Sequence, residues 1–262
     1  MPLDHPTLHS KRSSTICQPS SNRPFAAWKR SIVAVLVLLC PSLTAADEDS
    51  DFRSAAAFFR AQRWQYAATD FQKFLKDYPN SDRAPLARLY VGLCLNSLED
   101  YAPARTNLQQ FLKDAPENRN AADARYRIGE CSYYLKEYDT AIQQLANYLK
   151  QHDGHQLNSW ARLLLGESLN QKQRFVEAQT TLAPVLAVAQ KDGILDDVEF
   201  AIAVSLQGQS KVSEATVKFQ NLVNRKSKRF EHRSLARLGM MAFAAKDYAK
   251  AATLYDLSLI HI

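Results

Sequence analysis

The side chains that could do chemistry in this chain are few and do not converge. His152-Asp153-Gly154-His155 sets two imidazoles and a carboxylate within four residues, the start of a metal site on paper. A zinc site needs three or four ligands, and no third or fourth stands in view beside this turn, so no metal is expected. Cys94 and Cys131 are 37 residues apart. Equivalent positions on packed helices lie about 8–10 Å apart, whereas a disulfide needs Cα atoms within about 7 Å. The two thiols therefore read as free, small and buried. Arg88, Arg125 and Arg162 repeat the same spacing. Each can bury its stem and keep its fork in water; the functional alternative is an anion-binding ladder. Arg225-Lys226-Ser227-Lys228-Arg229 is a basic turn that suits the C-terminus of a helix, with anionic lipid or nucleic acid as the rival reading. No nucleophile elbow, P-loop, HExxH or dinucleotide fingerprint is present. No catalytic residue, cofactor or small-molecule substrate is expected, and the chain does not read as an enzyme.

The elements that carry these residues recur. Ala67, Ala104, Ala141, Ala178 and Ala215 are spaced 37 apart, and Ala251 follows after 36. Four residues after each stands a large apolar group: Phe71, Leu108, Leu145, Leu182, Phe219 and Tyr255. Three before each stand Trp64, Tyr101, Tyr138, Phe175, Val212 and Tyr248. Twelve before each come Ala55, Gly92, Gly129, Gly166, Ala203 and Gly239, so four of the chain's 7 glycines share one repeat position. Offsets of −3, 0, +4, +7 and +8 form one stripe of a helix. A Gly inside a helix costs about 1 kcal/mol of propensity, and its recurrence predicts a close approach of a neighbouring helix. Turn signals separate the units at Tyr78-Pro79-Asn80-Ser81, Ala115-Pro116-Glu117-Asn118, His152-Asp153-Gly154-His155 and Lys191-Asp192-Gly193. No strand-like alternation interrupts them. Each unit is a helical hairpin that cannot bury its own face, and stacking shares one core. The predicted fold is all-α, a right-handed α-solenoid of about six helix-turn-helix repeats across residues 47–256.

Composition agrees with this reading. The 262 residues are 46% apolar and 23% charged, which excludes collagen-like, disordered and disulfide-framework classes. The formal charge is +6, but residues 1–46 hold five basic groups and one acid, and the remainder carries only +2. That is too little to argue for a nucleic-acid binder. Trp28-Lys29-Arg30 leads into the apolar run Ile32–Leu39, then into Thr44-Ala45-Ala46 and the acidic Asp47-Glu48-Asp49. A positive flank, a short apolar run and small residues predict a secretory signal peptide over 1–46, with an extended n-region and cleavage after Ala46. The run is shorter than the ~20 residues of a spanning helix. The rival is lipid anchoring through Cys40, although Leu39 and Pro41 flank it. An exported protein of the periplasm or cell envelope is expected. At the other end, Leu257-Ser258-Leu259-Ile260-His261-Ile262 breaks the polar pattern of a capping helix and coincides with a reading of a common sequencing adapter. Residues 257–262 are therefore expected to be an artefactual tail, the other reading being a natural apolar end.

The Ile128-Gly129 pair with Tyr138, Ala141 and Leu145, together with Pro79 and Pro116, resembles the tetratricopeptide repeat at that family's internal spacing. The resemblance covers about residues 52–256, with a period longer than the family's usual one and a degenerate fifth repeat (Ala203, Val212). The longer period, the Tyr-Pro-Asn-Ser turn and the leader look like envelope members, namely the Tol–Pal-associated periplasmic protein and the outer-membrane assembly lipoprotein. It implies a protein or peptide partner bound in a concave groove lined by the first helix of each hairpin, with outer-membrane or cell-wall association. Transferred position by position, the groove would be lined by Asp123, Tyr126, Glu130, Tyr133 and Tyr134 in repeat three. In repeat four it would be lined by Trp160, Leu163, Glu167, Asn170 and Gln171, and in repeat two by Leu86, Leu89, Leu93, Asn96 and Ser97. Aromatics beside carboxylates and amides suit a protein surface. Glu130 and Glu167 stand where members that clamp a terminal carboxylate carry Asn, which does not support that activity. Two other readings remain open: the arm of a longer enzyme or membrane-anchored receptor, and a peptidoglycan- or polysaccharide-binding module.

Overall fold

The structure, a computed structural model, describes the backbone of residues 41–259 and the side chains of residues 47–259. The leader before residue 41, Cys40 and residues 260–262 of the expected tail lie outside the described residues. Every described element is helical. In order they are α1 (Pro41–Arg60), α2 (Trp64–Asp77), α3 (Ala84–Ser97), α4 (Tyr101–Asp114), α5 (Ala121–Tyr134) and α6 (Tyr138–Gln151). Then follow α7 (Asn158–Gln171), α8 (Phe175–Leu182), a 3₁₀ turn (Ala183–Ala187), α9 (Leu195–Gly208), α10 (Val212–Asn224), α11 (Glu231–Ala244) and α12 (Tyr248–Leu259). None of the described helices is long and apolar enough to cross a membrane. The unit from Glu48 onward is an α-solenoid of stacked hairpins. The expected register holds: Trp64, Tyr101, Tyr138, Phe175, Val212 and Tyr248 each open the second helix of a hairpin. Helix α12 continues through Leu257 and Ser258 to Leu259.

The length of the period follows from the parts. Two 14-residue helices, the three-residue turn 135–137 and the six-residue connection 115–120 fill it. The connections are copies of one another. Tyr78 N–H donates to Phe74 O, Ser81 N–H to Tyr78 O and Ala84 N–H to Ser81 O, and the same three bonds recur at Ala115, Asn118 and Ala121 and at His152, His155 and Asn158. Pro79 and Pro116 take the second position of these turns, where a fixed φ is pre-set. Repeat four departs. Pro184 cannot donate to the ladder, α8 ends at Leu182, and a 3₁₀ turn follows. The longer path to α9 folds inward, burying Val185, Ala189 and Ile194.

Inside each hairpin the turn closes with a left-handed residue: Gln62, Glu99, Lys136, Gln173, Ser210 and Lys246, all with φ between 56° and 65°. Lys136 N–H donates to Tyr133 O and Glu137 N–H to Ser132 O, and the pattern recurs in the other five turns. This is the Schellman closure, which glycine usually serves.

The glycine ladder sets the helix-to-helix approach. A Cβ on Gly92 would lie 2.7 Å from Leu108 Cγ, on Gly129 2.7 Å from Leu145 Cγ and on Gly166 2.5 Å from Leu182 Cγ. The zero-position alanines from Ala67 to Ala215 and the large groups from Phe71 to Phe219 are fully buried. Where Ala replaces Gly, at Ala55 and Ala203, the facing position carries a flat ring, Phe71 or Phe219. Branched leucines face glycine in repeats two to four, planar phenylalanines face alanine in repeats one and five, and in repeat six Gly239 faces the ring of Tyr255. First helices also touch the first helices of neighbouring repeats, α3 with α5, α5 with α7 and α7 with α9. They form the closely apposed inner layer of the solenoid, and the second helices fan outside it.

Candidate interaction face on the first helices

Of the residues expected to line a groove, the structure separates packing from presentation. Tyr126 and Leu163 are core residues, 2% and 3% exposed. This corrects their assignment as partner contacts: Tyr126 packs against Tyr148 with ring centroids 5.9 Å apart, and Leu163 joins the core under α8 and α9. Asn170 is also turned inward. Its amide donates to Ala201 O at 2.8 Å and its carbonyl accepts from Ser205 Oγ at 2.8 Å, fastening repeat four to repeat five. Asn96, the equivalent position two periods earlier, reaches from repeat two to Cys131 Sγ at 3.4 Å. Both amides act as clasps between repeats, because four residues after the glycine slot the side chain points along the stack. Cys94 and Cys131 are free and buried, and burial pushes their thiols up to about 12 and about 11.

Glu130 is almost covered. It accepts from Tyr126 Oη at 3.1 Å and from Arg127 Nη1 at 2.7 Å. Glu167 is half-buried and accepts from the Tyr133 hydroxyl. Desolvation, with nearby Asp197 adding to it, holds its carboxyl above the usual glutamate range despite Tyr133, Arg229 and Arg233. Burial likewise pushes the Tyr133 hydroxyl up, with Glu167 adding to it.

Tyr134 and Trp160 remain open to solvent, 46% and 39% exposed. Tyr134 stacks on Tyr101 of α4 at 4.6 Å and 11° and meets Tyr133 edge-on at 5.2 Å. Tyr133 in turn meets Tyr138 edge-on at 6.1 Å. The result is a four-tyrosine cluster at the hairpin-turn end of repeats two and three. Burial pushes the hydroxyls of Tyr101, Tyr133 and Tyr134 up, that of Tyr101 to about 12. Tyr101 and Tyr138 entered the sequence reading only as register marks. Their share in the cluster comes from second helices opening beside the ends of first helices.

Tyr134, Glu167 and Asp197 lie near Arg229, whose charge works against the upward shift that burial imposes on each of the three. Here the two arginines of the basic turn are paired. Arg225 pairs with Asp196 at 2.7 Å and Glu199 at 2.5 Å, Ser227 Oγ donates to Asp196, and Arg229 pairs with Asp197. The acids of α9 thus pair both arginines of the turn and leave Lys226 and Lys228 outside the network. In the His152–His155 turn, His155 Nδ1 bonds Tyr148 Oη at 2.7 Å, and its Nε2 lies 3.7 Å from Asp123. Among the described residues no group of three or more His, Cys, Asp or Glu side chains could hold a metal ion. Arg88 faces Asp114 at 3.3 Å, so that member of the arginine ladder is a strut between α3 and α4.

An all-helical stack, a repeating Gly–Leu contact and an open aromatic cluster on the inner layer define a class. Residues 49–81 and residues 97–155 each match a model described as tetratricopeptide repeat. Those two segments are similar to tetratricopeptide repeats, a repeat class that binds protein or peptide partners. Among solved structures it resembles a tetratricopeptide repeat protein from Parabacteroides merdae ATCC 43184, at 13% identity and a TM-score of 0.62, covering 79% of this chain and 77% of that one. It also resembles MamA AMB-1, at 20% identity and a TM-score of 0.55, covering 67% and 90%. MamA from Desulfovibrio magneticus RS-1 matches at 18% identity and a TM-score of 0.57, covering 68% and 94%. At these identities the likeness is one of fold. No curated protein matches the sequence.

Proposed function

We propose that the chain is an exported scaffold that binds a protein or peptide on its inner layer, in the assembly or maintenance of a cell envelope. One observation carries the binding reading: Tyr134, stacked on Tyr101 and backed by Tyr133, is a large aromatic held rigidly and half open on the first-helix layer. Rigid aromatics with a polar tip make effective anchors, because little side-chain freedom remains to be lost on binding. The mechanism is recognition alone: aromatic anchors take up apolar parts of the partner, and Glu167 and its neighbours select polar groups beside them. The leader-like residues 1–46 support export.

A photo-crosslinking amino acid at position 134, compared with one at the exposed Val217 of α10, tests the binding face. Discrete adducts from 134 and none from 217 are expected. Equal labelling from both, or none from 134, overturns the reading. Export is tested by N-terminal sequencing of the chain from its native cell: a start at Asp47 in the extracytoplasmic fraction is expected, and an intact chain confined to the cytosol refutes it.

A further inference from the structure

Two arginines on α11 are seated but not neutralised. The Arg233 guanidinium lies 4.5 Å from the Phe200 ring centroid and 5.1 Å from that of Phe230. Those rings are stacked at 4.8 Å and almost wholly buried, so the fork rests on a fixed aromatic floor. One turn on, Arg237 is half-buried and touches only Gln207 Oε1, at 3.5 Å. Among the described residues neither makes an ion pair, although Arg225 and Arg229 just upstream both do. Glu167, which senses Arg233, is beyond ion-pair distance and already accepts from Tyr133. Burial and the Arg233 charge both disfavour the Arg237 cation, which is the mark of a cation lacking its counter-charge.

Resting on the scaffold reading above, we propose that Arg233 and Arg237 are the docking point for an Asp/Glu-rich segment of the partner protein. A guanidinium fork held flat matches a carboxylate with two parallel hydrogen bonds. Positions four apart on a helix present two such forks side by side. Met240, 49% exposed, continues the same face one turn further, so an apolar residue next to the acids would find a contact. A short acidic segment need touch only the two forks.

The test is fluorescence anisotropy of the full chain with fluorescein-labelled octaglutamate at low salt. Saturable binding is expected, weakened at least tenfold by Arg233→Gln with Arg237→Gln, and within twofold of normal for Lys113→Gln with Lys150→Gln, which removes the same charge from second helices. Hydrogen exchange on the unaltered protein gives a readout independent of variant folding: octaglutamate should slow exchange across 231–244. Absence of saturable binding, equal weakening in the lysine control, or protection confined to other helices overturns the proposal. Its failure is separable from failure of the scaffold reading. Crosslinks from position 134 that persist in the arginine variant would keep the scaffold and discard this site.

Discussion

The Gly–Leu contact makes a sharp demand on repeat three. In Gly129→Ala the new Cβ would start 2.7 Å from both Cγ and Cδ2 of Leu145. Ordinary carbon contacts are about 3.5–4.0 Å, so α5 and α6 must separate by roughly 1 Å or Leu145 must leave its rotamer. Leu145 is fully buried, and its Cγ is a branch point with no free end to swing aside. Overpacking of this kind costs about 1–3 kcal/mol, and the Gly-to-Ala gain in helix propensity returns about 1 kcal/mol. With the clash on a branched atom, a net loss of about 1–2 kcal/mol is expected. For a unit of this size that lowers Tm by roughly 2–4 °C per kcal/mol. The structure also names the rescue. Ala55 and Ala203 occupy this slot opposite Phe71 and Phe219, so adding Leu145→Phe to Gly129→Ala should recover part of the loss. Urea and thermal unfolding followed by helical circular dichroism on the three variants would decide. Gly129→Ala at or above the parent's stability would refute the packing argument. A double variant worse than the sum of its singles would refute the ring-for-branch account.

Two further outcomes follow from local geometry. Lys136 holds φ at 61°, which costs an L-residue about 1–2 kcal/mol against an entropic cost of about 0.5–1 kcal/mol for glycine. Lys136→Gly should therefore raise stability by about 0.5–1 kcal/mol, while Gly at exposed Gln143 in mid-helix should lower it by about 1 kcal/mol; equal losses in the two would sink the argument. Glu167 binds its proton more tightly folded than unfolded, chiefly through desolvation, so its contribution to stability falls as pH rises from the unfolded glutamate range through the raised folded value and stays lost above it. Glu167→Gln should then gain on the parent across that window in urea titrations at successive pH values, and a gain independent of pH would count against it.

Residues differ in how openly they declare themselves, and the reason is physical. Core positions must repeat because each hairpin meets an equivalent neighbour, so Ala67 to Ala251 and Gly92 to Gly239 could be aligned from spacing alone, and every second helix opens where that alignment put it. The hairpin turns were harder to read. Their left-handed residues are Gln, Glu, Lys and Ser rather than Gly, and backbone bonds hold them without a side-chain signature. Groove-facing positions transferred from the family resemblance were the least secure. Tyr126 and Leu163 occupy slots that line the groove in the resembled family, but here the close first-helix layer covers them. Asn170 reads as a groove amide only until its Ser205 and Ala201 partners, more than thirty residues away, are in place. Arg233 and Arg237 show the converse. Nothing in their spacing sets them apart from the basic turn just before them. What separates the two groups is pairing across repeats, since the carboxylates of α9 reach Arg225 and Arg229 and stop short of the next two turns. Which charges a solenoid leaves unmatched is decided by how far each repeat is displaced along its neighbour, and that displacement is set by the small-residue contacts between helices and by the connections between repeats. The elements that fix the stack therefore also select the charges left free for a partner, and loosening Gly129 should disturb recognition at a distance as well as stability.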